Sequence, residues 1–518
     1  MLYQSTRGND KKIKSAEAIA YGMASDGGLF VPESFPCLSL EKIAQLAQED
    51  YITRAAFIMS LFMDDFGFDE LKEITSRAYT QNTGHTTAEK SGFTGKDAAP
   101  LHMLSNNTFF LELWHGPTCA FKDMALQVMP ELLISSLKKI GETREVCILV
   151  ATSGDTGKAA LEGFCDVPGT KIMVFFPQNG VSDVQKLQMT SQSGKNVNVA
   201  AIKGNFDDAQ NGVKEIFSDK ALCSRLADRG YILSSANSIN WGRLVPQVAY
   251  YFSAYCDLLK TGKIKPGEKI NFCVPTGNFG NILAAYYAER MGLPVNKLIC
   301  ASNRNDVLTQ FIKTGIYDRN RPFYTTVSPS MDILVSSNLE RLLFELSVKN
   351  GTTVVSYMSA LSEKGRYDIS APVRDELSRV FSSGFCLEED TKKAIKDVFI
   401  INNYLIDTHT AVAYKVLNDY RAETGDKSVS VVVSTASPFK FCEAVLEALE
   451  VPVGSNRDIP SAGTVPGGGV YLIDKLAEVT GKEVPAPLFA LKNAKERFNC
   501  TVSTDAMKAA VVDFIEGR

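Results

Sequence analysis

Lys122 is the residue whose type and surroundings point most directly to chemistry. It lies in the segment HGPTCAFKDMA, residues 115–125, where a loop leads into a helix and most neighbours are small or apolar. Burial of an ammonium group is unfavourable and lowers its pKa, so a buried lysine can become a neutral nucleophile. Such an amine forms a Schiff base with an aldehyde. If burial is the only consideration, the sequence favours a Lys122 side chain that reaches solvent or pairs with Asp123. If Lys122 is instead the reactive amine, we expect Asp123 to cap the start of the helix.

The segment ATSGDTG, residues 151–157, follows a predicted strand and begins a predicted helix. Backbone N–H groups at such a junction can bind an anion, assisted by the helix dipole. The segment is not a P-loop, because that motif needs Gly at 152 and Ser or Thr at 159, and this chain has Thr152 and Ala159. The loop alone is equally compatible with an ordinary turn capped by Ser and Thr.

A second strand–loop–helix junction contains the segment GNFGN, residues 277–281. Gly277 and Gly280 free the backbone, and Asn278 and Asn281 add side-chain donors. A phosphate monoester could bind here without a cationic side chain. Alone, this segment also fits a tight turn that binds nothing.

Together, a buried lysine and two anion-binding loops on a parallel sheet are typical of a pyridoxal phosphate (PLP) enzyme. The lysine would hold the aldehyde and one loop would hold the phosphate. Thr435, in STASPFKF at the end of a late strand, offers a neutral hydroxyl for the pyridine nitrogen. This constellation predicts PLP as the cofactor.

The elements that must position these residues are apolar strands alternating with helices. The predicted strands lie at 145–151, 171–177, 196–202, 270–275, 297–302 and 429–436. Continuous apolar strands between helices indicate an α/β fold with a parallel sheet covered by helices on both faces. Helical patterns fill a small N-terminal unit and the region of about 311–400.

Composition excludes several other classes. The net charge of -4 gives no general attraction to nucleic acid. The sequence contains no run of eighteen apolar residues, so no membrane-spanning helix is predicted. The eleven cysteines form no C-x-x-C pair, and the four histidines form no cluster typical of metal ligands. We therefore expect a cytoplasmic protein without a metal site.

The segments HGPTCAFKDMA, ATSGDTG, SSANSINWGRL, VPTGNFGN, DTHTAV and STASPFKF occur in the order typical of threonine synthases, and the chain resembles that family over almost its whole length. The resemblance implies the PLP-dependent fold of the tryptophan synthase β-subunit, fold type II, with parallel sheets flanked by helices. It also implies an N-terminal domain at 1–95, a PLP-binding catalytic region of two subdomains at 96–455 with a helical insertion at about 311–400, and a C-terminal extension at 456–518. A monomer or a homodimer is expected.

The resemblance implies that Lys122 carries PLP as a Schiff base and moves protons during the reaction. Thr435 would contact the pyridine nitrogen. The residues implied to hold the cofactor phosphate are Gly277, Asn278, Phe279, Gly280 and Asn281. The residues implied to receive the substrate carboxylate are Thr152, Ser153, Gly154, Asp155 and Thr156. The candidates for the substrate phosphate are Asn237, Ser238 and Arg243, with Ser153 nearby, although a structural ion pair explains Arg243 equally well.

Two family motifs are altered in this chain. Many members have STAHPAKF where this chain has STASPFKF, so Ser437 replaces His and Phe439 replaces Ala. DTHTAV has Thr408 where DPHTAV has Pro, and His409 is kept. Neither change removes a group assigned to the cofactor.

The reaction implied is conversion of O-phospho-L-homoserine and water to L-threonine and phosphate, by γ-elimination and β-addition. A related phospho-lyase would use the same lysine and loops but release 2-oxobutyrate. A non-catalytic PLP-binding homologue would release no phosphate, and the retained Lys122 argues against it. A nucleotide-hydrolysing enzyme is disfavoured because the P-loop pattern fails.

Overall fold

The computed structural model describes residues 1–8, 11–80, 93, 97–105, 107–179, 181–452 and 468–517. The domain boundaries predicted near residues 95 and 455 lie outside the described residues.

The N-terminal unit is a two-stranded sheet with four helices. Its elements are β1 (Tyr3–Ser5), α1 (Ser15–Tyr21), β2 (Phe30–Pro32), α2 (Leu40–Leu46), α3 (Tyr51–Phe62) and α4 (Phe68–Tyr79). The strands β1 and β2 pair antiparallel. Asp50 caps α3 by accepting a hydrogen bond from the Thr53 N–H over 2.8 Å. The unit packs on the rest of the chain through Arg54, whose Nη1 lies 2.7 Å from Oδ1 of Asp257.

Strands and helices alternate through the next part of the chain. The elements are β3 (Leu101–Ser105), β4 (Thr108–Glu112), α5 (Asp123–Leu126), α6 (Met129–Lys139), β5 (Glu145–Ala151), α7 (Asp155–Phe164), β6 (Thr170–Pro177), α8 (Asp183–Thr190), β7 (Val197–Ile202), α9 (Phe206–Ser218), α10 (Lys220–Asp228), β8 (Tyr231–Ser234), α11 (Trp241–Lys260), β9 (Ile270–Pro275), α12 (Gly280–Arg290) and β10 (Val295–Ser302).

The remaining elements are mostly helical. They are α13 (Val307–Thr314), β11 (Ile316–Asp318), α14 (Leu339–Leu346), α15 (Gly351–Lys364), β12 (Arg366–Asp368), α16 (Ala371–Val380), β13 (Phe381–Phe385), α17 (Glu388–Asn402), α18 (Thr408–Thr424), β14 (Ser430–Ser434), α19 (Cys442–Ala448), α20 (Gly468–Thr480), α21 (Ala486–Phe489), β15 (Thr501–Val502) and α22 (Met507–Glu516). Short 3-10 turns lie at Pro329–Met331, Pro438–Lys440, Ala490–Asn493 and Thr504–Ala506.

Two mainly parallel sheets organise the part of the chain that follows the N-terminal unit. The larger sheet has the strand order β13-β10-β9-β14-β4-β3, in which only the β3–β4 pair is antiparallel. The smaller sheet has the order β15-β7-β6-β5-β8 and is parallel throughout. Helices flank both sheets, and the strands β9 and β14 are buried along their whole length. The predicted α/β class with parallel sheets flanked by helices is confirmed.

Several elements differ from the sequence prediction. The helix expected over 123–140 divides into α5 and α6, because Pro130 at the start of α6 has no N–H to continue a helix from the preceding turn. Strand β13 lies inside the region predicted as helical and pairs parallel with β10. Its sequence, FSSGF, has little of the continuous apolar character that identified the other strands. Strand β15 brings the C-terminal region back to the edge of the smaller sheet.

Within the described residues, no helix combines the length and the apolar character that a membrane crossing requires.

Candidate active site

Lys122 lies at the end of a loop that joins β4 to α5, beside the carboxyl end of β14. The loop is fixed there because the Phe121 N–H donates to the carbonyl oxygen of Thr435 over 2.8 Å. Ala120 forms an isolated bridge with Ala436. Lys122 immediately precedes α5, and 11% of its side chain is exposed. The amine is therefore largely withdrawn from water at the end of a central strand, near Thr435.

Asp123 stabilises the loop before Lys122. The sequence predicted that it would cap the helix, and it does not. Its Oδ2 accepts a hydrogen bond from the Thr118 N–H and its Oδ1 accepts one from the Thr118 hydroxyl, both over 2.8 Å. The N-cap residue of α5 is Lys122, whose side chain makes no capping hydrogen bond among the described residues. Gly116 is required beside it, since a Cβ there would lie 2.5 Å from Cβ of Asp123. Burial raises the pKa of Asp123 to about 6, and the bonds from Thr118 oppose this shift.

Asp155, at the first position of α7, is the carboxylate nearest to the Lys122 amine among the described residues. Its Oδ2 lies 3.8 Å from Nζ of Lys122. Its Oδ1 lies 2.8 Å from Nζ of Lys440 and accepts a hydrogen bond from Nε2 of Gln185 over 2.7 Å. Burial acts to raise the pKa of Asp155, but Lys440 and Lys122 outweigh it and hold the pKa well below its usual range. Asp155 is therefore an ionised carboxylate at neutral pH.

The surroundings of Lys122 lower the pKa of its amine. Burial lowers its pKa to about 8; Asp155 opposes this shift, whereas Lys440 and Arg243 reinforce it. A lysine with a pKa of about 8 is partly unprotonated at neutral pH and can act as a nucleophile or a base.

The loop of residues 277–281 connects β9 to α12 and has the geometry of an anion-binding turn. A Cβ on Gly277 would lie 2.5 Å from the carbonyl oxygen of Ser330, so a side chain does not fit there. Phe279 adopts a φ of 64°, in the left-handed region, immediately before α12 begins at Gly280. Gly277 and Asn278 are partly exposed, so a ligand can reach the start of the helix.

Asn281 presents a buried donor in the first turn of α12. Its Oδ1 accepts hydrogen bonds from the hydroxyls of Tyr250 and Tyr251, the latter over 2.6 Å. Its Nδ2 is buried and has no hydrogen-bond partner among the described residues. A buried donor without an acceptor is unfavourable unless a ligand completes it. Together with the start of α12 and the amine of Lys122, this group fits a phosphate-bearing aldehyde such as PLP.

Arg243, on α11, is a buried cation without a carboxylate partner in the described part of the chain. Its side chain donates to the carbonyl oxygen of Ala236 through Nη1, and Nε has no partner there. Burial lowers its pKa to about 10, so the guanidinium stays charged at neutral pH. The structural ion pair considered for Arg243 is not present among the described residues, which leaves its charge available to an anion.

Two further candidates for the substrate phosphate lie in the segment before α11. The side-chain oxygen of Asn237 is buried without a partner among the described residues. Ser238 lies 3.4 Å from Ser337, hydroxyl to hydroxyl, and a Cβ on Gly280 would lie 3.8 Å from Cβ of Ser238. The structure thus brings this segment next to the loop at 277–281.

The residues assigned to the substrate carboxylate form the turn between β5 and α7. The Thr152 hydroxyl accepts hydrogen bonds from the N–H groups of Gly154 and Gly157, over 3.0 and 2.8 Å. This oxygen therefore stabilises the turn itself. Gly154 has a φ of 127°, which an L side chain rarely adopts. Ser153 and Thr156 are partly exposed at the start of α7.

Several polar residues near Lys122 were missed at the sequence level. Lys440 was noted only as part of STASPFKF, although its side chain is completely buried and also donates to the carbonyl oxygen of Thr118 over 2.8 Å. Ser330 lies 3.5 Å from Oδ2 of Asp155, and its N–H donates to Nε2 of His409. Nδ1 of His409 lies within hydrogen-bond distance of Oδ1 of Asp407, at 2.9 Å. A lysine within a buried apolar segment was the available signal for Lys440.

The replaced residues of STASPFKF serve local structure. Ser437 is buried and accepts a hydrogen bond from the Phe439 N–H at the start of the turn Pro438–Lys440. Phe439 is buried in an apolar cluster. Both substitutions are compatible with the position of Lys440.

Three family models match successive parts of the chain. They are Threonine synthase N terminus at residues 2–79, Pyridoxal-phosphate dependent enzyme at residues 98–362, and Threonine synthase, C-terminal at residues 410–515. Together they cover the N-terminal unit and most of both sheets.

Individual proteins resemble the chain at moderate identity. Human "Threonine synthase-like 1" is 42% identical over 447 residues, which cover 84% of this chain but 58% of the relative, so the chain spans little more than half of that protein. The threonine synthase of Pseudomonas aeruginosa is 40% identical over 450 residues, covering 86% of this chain and 90% of the relative. The crystal structure of PLP-bound threonine synthase from Brucella melitensis superposes with a TM-score of 0.84 at 35% identity and covers 99% of both chains.

Proposed function

This chain belongs to the threonine synthase family, and we propose that it converts O-phospho-L-homoserine and water to L-threonine and phosphate with PLP as cofactor. The observation that carries the proposal is the buried guanidinium of Arg243. It has no carboxylate partner among the described residues, and its charge acts on Lys122. A cofactor phosphate on the loop at 277–281 would leave Arg243 for a second anion, as a phosphorylated substrate requires.

The cofactor would be held at its two ends by residues of the larger sheet. The N–H groups at the start of α12 and Nδ2 of Asn281 suit the phosphate, and the amine of Lys122 suits the aldehyde carbon. Thr435 offers a neutral hydroxyl for the pyridine nitrogen. When bound, PLP supplies an electron sink that makes C–H bonds next to the substrate amine acidic.

Lys122 is the group that would move protons at the substrate. A lysine with a pKa of about 8 can accept a proton from Cα or Cβ and return it within one catalytic cycle near neutral pH. Its largely buried position protects that proton from exchange with bulk water. We therefore assign both cofactor attachment and proton transfer to Lys122.

The substrate would be oriented by its two anionic ends. The backbone N–H groups of residues 152–156, at the start of α7, suit the carboxylate. Arg243 suits the phosphate, since a guanidinium can donate two parallel hydrogen bonds to it, and Asn237 and Ser238 lie in the adjoining segment. Loss of phosphate from Cγ followed by addition of water at Cβ gives threonine.

The ratio of threonine to 2-oxobutyrate distinguishes a threonine synthase from a phospho-lyase. The full chain is incubated with PLP and O-phospho-L-homoserine, and threonine and 2-oxobutyrate are both quantified. We expect threonine as the main product. Dominant 2-oxobutyrate would identify a phospho-lyase, and absence of phosphate release would identify a non-catalytic homologue.

We also propose a reducing compartment such as the cytoplasm. All eleven cysteines are free and most are buried, which suits a compartment where thiols stay reduced.

A further inference from the structure

We propose that Lys440 is a positioning residue, which holds the Asp155 carboxylate in place so that Asp155 does not form a close ion pair with Lys122. The proposal concerns two buried lysines that share a single carboxylate. It rests on the proposed function only in that Lys122 is taken as the amine that attaches PLP.

The two lysines contact Asp155 unequally. Nζ of Lys440 lies 2.8 Å from Oδ1 of Asp155, whereas Nζ of Lys122 lies 3.8 Å from Oδ2. The first distance is a charge-assisted hydrogen bond and the second is not. The Lys440 side chain is fully buried and that of Asp155 is 4% exposed, so water does not weaken their contact.

Oδ1 is the anchored oxygen of this carboxylate. It also accepts a hydrogen bond from Nε2 of Gln185 over 2.7 Å. Among the residues that the structure describes, Oδ2 contacts only Ser330, at 3.5 Å, and Lys122, at 3.8 Å. If the Lys440 bond were lost, Asp155 would need another cation, and the ammonium form of Lys122 is the nearest one among the described residues.

Among the described residues, the charged groups that act most strongly on Lys122 lie on different elements. Asp155 faces it from α7, Lys440 from the turn after β14, Arg243 from α11 and Asp123 from the adjoining position of α5. Asp155 is the main group that favours the ammonium form, and Lys440 both neutralises Asp155 and adds a repelling positive charge. Lys440 therefore acts twice in lowering the pKa of Lys122.

Attachment of PLP measures the protonation state of the Lys122 amine and does not require conversion of any substrate. The amine lone pair forms a bond to the aldehyde carbon, the aldehyde oxygen leaves as water with the two amine protons, and a carbon–nitrogen double bond remains. Only the neutral amine can begin this step. Borohydride supplies hydride to reduce the double bond, and mass spectrometry then quantifies PLP trapped on Lys122.

The test compares the pH dependence of trapping in the full chain and in Lys440→Met. We expect the midpoint of the variant to move at least one pH unit to the alkaline side, which corresponds to about a tenfold smaller fraction of neutral amine near pH 7. Lys393→Met, at an exposed position, is the control and should keep the wild-type midpoint. An unchanged midpoint in Lys440→Met, or an equal loss of trapping at every pH, would overturn the proposal, since a purely structural role predicts one of these.

The double variant Lys440→Met with Asp155→Asn removes both charges. We expect its midpoint to return to that of the wild type or below, because the competing carboxylate is gone. A midpoint as alkaline as that of Lys440→Met would contradict capture by Asp155. Lys440→Gln is used if Lys440→Met does not fold. It keeps a hydrogen-bond donor for Asp155 but lacks the positive charge, so its midpoint should also move to the alkaline side. Failure of the wild type to trap PLP would refute the cofactor assignment instead, so the two failures are distinguishable.

Discussion

The amine of Lys122 and the nearer oxygen of Asp155 are separated by 3.8 Å, close enough for a charge interaction but too far for a hydrogen bond. Burial lowers the pKa of Lys122 to about 8 in spite of this carboxylate. The rate of PLP attachment to the wild-type chain should therefore rise with pH and level off above about 8, where the amine is neutral. Stopped-flow absorbance of added PLP measures the profile, and a rate that keeps rising toward the ordinary pKa of lysine would contradict the assignment.

Replacement of Lys122 should abolish trapping of PLP by borohydride. Lys122→Ala removes the amine, and Lys122→Arg keeps the positive charge but cannot condense with an aldehyde under these conditions. Both variants should give no labelled peptide at this position and no threonine. Lys393→Ala, at an exposed site, serves as the control. Stoichiometric trapping on another lysine, with activity retained, would exclude Lys122 as the attachment site.

Replacement of Arg243 should weaken substrate binding while leaving the fold at least as stable. Arg243→Met removes a buried charge that has no carboxylate partner in the described structure, and relief of that unfavourable burial offsets the loss of the single hydrogen bond to the carbonyl oxygen of Ala236. We expect KM for O-phospho-L-homoserine to rise about tenfold to a hundredfold, the usual range for loss of hydrogen bonds to a charged group. Steady-state kinetics and thermal unfolding without ligand measure the two effects.

Arg341 provides the matched control for Arg243. It is also completely buried, but it donates to the carbonyl oxygens of Phe30 and Ile239 and to Oδ1 of Asn338. Arg341→Met leaves these acceptors unpaired, so it should lower the melting temperature. A similar loss of stability in Arg243→Met, with KM unchanged, would make Arg243 a structural residue.

The hydroxyl of Tyr251 should contribute to PLP affinity through Asn281. It donates to Oδ1 of Asn281 over 2.6 Å and so helps to fix the amide with Nδ2 free for a phosphate. Tyr251→Phe should raise the Kd for PLP by about twofold to tenfold, the net value of one hydrogen bond. Tyr287→Phe is the control, since the buried hydroxyl of Tyr287 has no partner among the described residues. Kd is measured by equilibrium dialysis, and equal effects of the two variants would contradict a role of Asn281 in binding the PLP phosphate.

Glu345 should make stability depend on pH near neutrality. Burial raises its pKa to about 7 from an ordinary value of 4.5, against the effects of Lys349 and Arg290. A raised carboxyl pKa stabilises the fold below the unfolded pKa, and this stabilisation is lost as pH rises through the folded pKa. The stability of Glu345→Gln relative to the wild type should therefore increase between pH 4.5 and pH 7, by about 3 kcal/mol.

Urea unfolding of the two proteins at both ends of that pH range measures the change. Glu49→Gln, at an exposed position, is the control for the substitution itself. A constant difference between Glu345→Gln and the wild type would show that Glu345 titrates normally in the folded protein.

The strands were predictable because a buried parallel strand is a continuous apolar run. The segments of β5, β9 and β14 were identified in this way, and the loops that follow them carry the residues assigned to ligands. Strand β13 was missed because Ser and Gly occupy its centre and its partner β10 supplies the pairing.

The partners of buried polar side chains could not be read from the sequence. Lys440 and Asp155 lie far apart along the chain and meet only when the turn after β14 is placed against α7. Asp123 was expected to cap its own helix, but the fold brings Thr118 within reach of both carboxylate oxygens. The Thr152 hydroxyl oxygen accepts hydrogen bonds from two N–H groups of the turn in which it lies, and this structural role was not predicted. These choices depend on which elements approach each other, and composition and periodicity do not specify that.

A reaction in ¹⁸O-labelled water tests the proposed activity most directly. The full chain, loaded with PLP, is incubated with unlabelled O-phospho-L-homoserine, and the amino acid and the phosphate are examined by mass spectrometry. Elimination at Cγ and addition of water at Cβ predict threonine with a single ¹⁸O in its hydroxyl group and phosphate without label. Labelled phosphate with unlabelled homoserine would mean hydrolysis at phosphorus and would contradict the account, as would 2-oxobutyrate in place of threonine.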